Sequence, residues 1–89
     1  MRYVWDLEKA RTNHKKHGVL FEEAVTAFAD PLGIIVDDVA HPGRAILIGL
    51  SGRGRVLFTV FLEKGDTETR LISARVATRP ERRRYEEGE

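Results

Sequence analysis

Leu71-Ile72-Ser73-Ala74-Arg75-Val76-Ala77-Thr78-Arg79-Pro80-Glu81-Arg82-Arg83-Arg84-Tyr85-Glu86-Glu87 reads as a strand that ends in an arginine and passes into a capped, arginine-rich helix. The Thr78 hydroxyl is placed to accept the backbone N–H of Glu81, and the Glu81 carboxylate to accept that of Thr78, a capping box that marks where the helix begins. Pro80 falls in the first turn, where a missing N–H costs nothing. Arg79, Arg82, Arg83 and Arg84 therefore start beside Arg75, gathering planar guanidinium forks, the geometry that suits phosphate, at one strand-to-helix junction.

Upstream of this junction, Arg55 to Leu62 and Thr67 to Arg75 read as a strand pair joined by the turn Glu63-Lys64-Gly65-Asp66. Ala45 to Leu50 is a further strand, and Ser51-Gly52-Arg53-Gly54 is a hairpin turn with Arg53 at its tip. Ile34-Ile35-Val36 forms another short strand before the polar loop from Asp37 to Arg44. Nearer the N-terminus, Tyr3-Val4-Trp5 is aromatic and β-branched and reads as a strand. Asp6 then caps a helix from Leu7 to His17, which Gly18 ends, with Leu7, Ala10, His14 and His17 along one side. A second helix spans Phe21 to Ala29. Its core stripe is Phe21, Ala24, Val25 and Phe28, it has Leu20 where a polar cap would be expected, and Asp30-Pro31 stops it. The expected fold is α+β: two helices on one face of an antiparallel sheet and a third helix at the end.

Alternation along the last two strands assigns Val56, Phe58, Val60, Leu62, Ile72, Ala74 and Val76 to the face the helices cover. The other face then carries Arg55, Thr59, Ser73 and Arg75 with Leu57, Phe61 and Leu71, a mixed surface with two arginines.

An 89-residue chain makes one domain, 1–89, and 42% hydrophobic with 33% charged residues is a globular composition. Having no cysteine, it has no disulfide and no thiolate metal site, which suits the cytoplasm. Asp6, Glu8 and Lys9 interrupt the opening residues, so neither a signal peptide nor a membrane span is expected. The net charge of +1 conceals segregation: arginines crowd the C-terminal third and Lys/His the stretch from Lys9 to His17. Such a distribution points to an anionic partner.

Several blocks, in order, resemble one family. They are Val4-Trp5-Asp6-x-x-Lys9-x-x-x-Asn13-x-x-Lys16-His17-Gly18-x-x-Phe21-Glu22-Glu23-Ala24, then Phe28-x-Asp30-Pro31, then Ile72-Ser73-Ala74-Arg75-x-Ala77-Thr78-x-x-Glu81-x-x-x-Tyr85. Together they are similar to the BrnT toxins of type II toxin-antitoxin systems and span nearly the whole chain. The resemblance implies a RelE-like fold and a ribonuclease that inhibits translation. It also implies neutralisation by a BrnA-like antitoxin in a hetero-oligomer, with operator DNA bound through the antitoxin. Leu20 and a short loop around His41 to Arg44 depart from the pattern.

Metal-independent RNA cleavage requires a deprotonated 2′-hydroxyl, a protonated leaving oxygen and stabilisation of charge on phosphorus. Arg75 and Arg55 can hold the phosphate. His17 carries an imidazole, the side chain most used to pass protons in catalysis, and Tyr85 can stack a base or move a proton. Lys9, Lys16, Arg53, Arg79, Arg82 and Arg83 can follow the RNA backbone. Against these stand plainer readings: Arg75 paired with a surface carboxylate, a solvated helix whose arginines meet Glu81, Glu86 and Glu87, and His17 serving only the helix end. His14 and His17 lack an evident third ligand, so neither a metal nor another cofactor is expected. The alternative function is a non-catalytic RNA- or protein-binding module on the same basic face. Arg75→Ala is expected to leave the fold intact, the position being read as exposed and near Arg55 across the hairpin.

Overall fold

The computed structural model describes residues 1–88. Five strands, β1 (Arg2–Val4), β2 (Ile34–Asp37), β3 (Ala45–Leu50), β4 (Val56–Lys64) and β5 (Glu68–Val76), form one sheet in the order β1-β5-β4-β3-β2. The helices are α1 (Leu7–His17), α2 (Phe21–Ala27) and α3 (Arg79–Glu87). The sheet is mixed and not purely antiparallel as expected from the hairpins. β2 to β5 pair antiparallel in succession, but β1 lies parallel to β5, with Arg2 opposite Glu68 and Val4 opposite Arg70. The cause is topological: two helices separate β1 from the rest, so the chain is free to return β1 to the far edge in either sense.

The core is built where α2 meets the sheet. Phe21, Ala24 and Ala27 of α2, with Val19 just before it, pack against Leu47, Leu57, Phe61, Leu71 and Ala74. Trp5 meets Phe21 edge to face at 5.8 Å, and Phe28 bridges Tyr3 and Phe61 with centroids 5.0 and 5.1 Å away. Gly49 belongs here for a steric reason, because a Cβ at that position would stand 3.1 Å from the Ala27 carbonyl oxygen. Gly18, at φ 70°, closes α1 in the left-handed region and donates its N–H to the His14 carbonyl.

The expected assignment of faces fails along β4. Its helix-covered residues are Leu57, Thr59 and Phe61, whereas Phe58, Val60 and Leu62 lie on the opposite face, only half-buried. β4 is apolar at both parities, so alternation carried no signal, and the polar Thr59 is in fact fully buried. On β5 the register slips between Val60 and Phe61: Val60 faces Ser73 and Phe61 faces Leu71, leaving Ile72 as the extra residue of a bulge. That bulge lets Leu71 and Ala74 both point at the core, which strict alternation forbids.

α1 buries Asn13, not the Leu7/His14 side of the helix, and Leu7 is 72% exposed. Asp6 holds the cap position in extended conformation without a side-chain cap bond. α3 begins with the expected capping box: Thr78 Oγ1 accepts from Glu81 N at 3.4 Å, and Glu81 Oε1 from Thr78 N at 2.8 Å. It packs chiefly against β3, whose Ile48 is 1% exposed and sits opposite Phe58 in the sheet.

Candidate nucleic-acid interface

β1 pairs with β5 only as far as Arg70, so the upper half of the β5 edge has no strand beside it. A side chain takes that place. Asn13 Oδ1 accepts the Ala74 N–H at 2.9 Å, while its Nδ2 donates to the Ala74 and Val19 carbonyls, both at 2.9 Å. The amide thus reproduces a β-bridge and fixes α1 against the strand. Asn13 belongs to the motif but had no role in the sequence reading. Its signal, one polar residue on an otherwise weak helical stripe, is legible only once the strand edge is known.

Between α1 and β5 this leaves a groove of ≈ 280 Å³. Lys9, Thr12, Lys16 and His17 line it from the helix, and Ile72 and Ser73 from the bulged strand. Glu8 stands at its rim, 3.6 Å from Arg11. Among the described residues neither Lys9 nor Lys16 has a carboxylate within 4.0 Å. Ser73 also shares its sheet face with Arg75, two residues on. Hence the groove leads along β5 toward Arg75, about 7 Å further at the usual rise of a strand.

Arg75 is half-buried rather than exposed. It lies 4.0 Å above the Phe58 ring and makes a bidentate pair with Glu81, at 2.8 and 2.9 Å. This pairing lowers the Glu81 pKa, and Glu81 in turn raises that of Arg75. The residue opposite Arg75 is Phe58, not Arg55. Arg55 reaches the helix side of the same sheet end, where it pairs with the buried Glu23 carboxylate and donates to the Gly18 carbonyl at 3.2 Å. Ser51 Oγ donates to the same carboxylate at 2.7 Å. Arg55 pairing is the main cause that holds the Glu23 pKa below its usual value. Glu23 was not singled out in the sequence, where it reads as first-turn acid; burial gives it this partner.

Tyr85, on the last turn of α3, donates its hydroxyl to Asp30 Oδ2 at 2.6 Å, and Asp30 also accepts from the Leu50 and Leu32 N–H groups. The Asp30 hydrogen bond, aided by desolvation, pushes the Tyr85 pKa up to about 12. Arg82 stands 3.7 Å from Glu86, both well exposed. Arg53 is exposed at its hairpin, and Arg79 and Arg83 are exposed on α3, with no carboxylate within 4.0 Å among the described residues. Of the expected site residues, then, Lys9, Lys16 and His17 share the groove, and β5 links it to Arg75. Arg55 adjoins His17 through Gly18 but on the other face, and Tyr85 is held at Asp30. Among the described residues no cluster of three metal-ligating side chains occurs, and no helix is long and apolar enough to cross a membrane.

Comparison with known proteins gives the same fold from a distance. The crystal structure of the Brucella abortus ribonuclease toxin, BrnT, superposes with a TM-score of 0.73 over 89% of this chain and 99% of its own, at 23% identity. No curated protein sequence matches the chain. The family described as ribonuclease toxin, BrnT, of type II toxin-antitoxin system matches residues 5–81, from Trp5 through Glu81. The chain belongs to the BrnT toxin family.

Proposed function

We propose that this chain is a cytoplasmic, metal-independent endoribonuclease that inhibits translation, that its arrangement of helices about the sheet is RelE-like, and that a BrnA-like antitoxin neutralises it and carries operator DNA binding. The observation that carries the activity is the basic groove beside α1, with His17 and two lysines that have no carboxylate within 4.0 Å among the described residues, lying along β5 from Arg75. RNA phosphates bound there meet Lys9 and Lys16 first; Arg79, Arg82, Arg83 and Arg53 extend the positive surface around the same end of the sheet. Arg75 is the proposed stabiliser of charge on phosphorus, and His17 the proposed proton carrier. Arg55 acts from the far side by holding the end of α1, and Tyr85 by anchoring α3.

One observation favours a second reading, a non-catalytic binding module: the polar ends of Arg75, Arg55 and Tyr85 are all engaged by carboxylates of the protein itself. Incubating the purified protein with single-stranded RNA in excess EDTA separates the two. New RNA ends are expected; intact RNA from a folded sample would leave binding alone.

A further inference from the structure

The α1–β5 groove has a size and lining more specific than a cationic patch. Its ≈ 280 Å³ lies at the lower limit of small-ligand pockets, room for one base with its sugar. Lys9 and Lys16 stand two helical turns apart, about 10 Å along α1, with Thr12 between them. Both lysines are exposed, and their flexible stems let two ammonium groups reach phosphates on either side of one bound nucleotide. Two hydroxyls, of Thr12 and Ser73, line the space without a protein hydrogen-bond partner among the described residues, and Ile72 supplies apolar surface from the bulge. Asn13, which also lines the groove with Glu8 and His17, is engaged at the strand edge through both its amide nitrogen and its oxygen.

We propose that this groove is a subsite for one unstacked nucleotide of single-stranded RNA, adjoining the Arg75 end of the strand. Lys9 and Lys16 bracket it through its flanking phosphates, and the Thr12 and Ser73 hydroxyls contact the ribose 2′-hydroxyl or a base edge. A duplex is excluded, because a paired and stacked base cannot enter a groove walled by a helix on one side and a strand on the other. Glu8, which also lines the groove, stands 3.6 Å from Arg11. The inference rests on the ribonuclease reading for its choice of RNA, but it is tested without cleavage.

A fluorescent hexanucleotide RNA with fluorine in place of every 2′-hydroxyl cannot be cut yet keeps a small acceptor facing the Thr12 and Ser73 hydroxyls, and its binding can be titrated across salt while backbone amide NMR shifts locate it. Shifts are expected at Lys9, Thr12, Lys16, Ile72 and Ser73. The Lys9→Gln, Lys16→Gln double variant should lower the slope of log affinity against log salt by about 1.4, two single-strand phosphate contacts. An unchanged slope and affinity in that variant, or shifts confined to α3, would overturn the subsite. So would equal competition by duplex RNA or by polyglutamate, which would show a general anion surface. Because natural RNA is assayed separately, binding here without cleavage upholds the subsite and removes the ribonuclease reading, whereas cleavage with a silent groove does the reverse.

Discussion

Arg75 is where the reading of single residues gains most from the structure. Its guanidinium serves two masters: it is the proposed phosphate ligand, yet it holds Glu81, which also caps α3. Arg75→Ala is therefore expected to do two things. RNA cleavage should fall on the order of a hundredfold, the usual loss when one donor to transition-state charge is removed. Thermal stability should fall as well, contrary to the sequence expectation of an intact fold, because Glu81 keeps its cap but loses its charge partner. Kinetics and melting of Arg75→Ala and Arg75→Lys check both; lysine should restore part of the stability but not bidentate phosphate binding. An active, fully stable Arg75→Ala protein would place the chemistry elsewhere. Asn13 makes the opposite case, a motif residue whose work is structural. Asn13→Leu leaves the Ala74 N–H and the Ala74 and Val19 carbonyls unpaired in a buried place, at about 1–3 kcal/mol for each group that water cannot reach. Its melting temperature should drop far more than that of Lys15→Ala, on the exposed side of the same helix.

Among the elements, the limits of α1, the Gly18 stop and the α3 capping box were legible because caps and helix ends are local chemistry, decided by a few neighbouring residues. The side of α1 that faces the protein was not, since it follows from one amide bonding a strand 61 residues away. Nor was the bulge at Ile72, which depends on the register of two strands together. α3 has no buried residue, so side-chain anchors carry much of its attachment: Glu81 to Arg75 near its start and Tyr85 to Asp30 near its end. The second anchor makes a pH prediction. Because the folded-state pKa of Tyr85 is raised from 10.0 to about 12, its stabilisation is complete below pH about 10 and is lost as pH rises through about 12. Helix content should fall over that alkaline window, tracked by circular dichroism with tyrosinate absorbance. In Tyr85→Phe, which has no hydroxyl to donate, that step should be absent and the helix less stable at neutral pH; an unchanged alkaline transition would show that the anchor does not hold α3.

For the molecule as a whole, order of elements and charge segregation survived the passage from sequence to structure, while the allocation of sheet faces did not. Apolar residues at both parities of β4 are the physical reason: α1 and α2 lie on one side of the sheet and α3 meets β3, and Phe58, Val60 and Leu62 on the opposite face from the core are half-buried too. The consequence for function is that the proposed working surface is neither face alone but the end and open edge of β5, reached from α1 on one side and from Arg75 on the other. An antitoxin that silences a ribonuclease of this build is expected to block that edge, since covering the lysine groove is the direct way to keep RNA phosphates out. The covering segment should be acidic, because the groove offers two ammonium groups with no carboxylate within 4.0 Å among the described residues and charge pairs of this kind set on-rate and specificity. Affinity for the cognate antitoxin should then fall as salt rises, through slower association, since exposed charges more than about 8–10 Å apart are screened near physiological ionic strength. Lys9→Gln with Lys16→Gln should flatten that dependence as it does for RNA. Association kinetics across salt with wild type and variant provide the measurement. If the variant binds antitoxin with the same rate and slope as wild type while its RNA affinity drops, the antitoxin sits away from the groove and neutralises by another route.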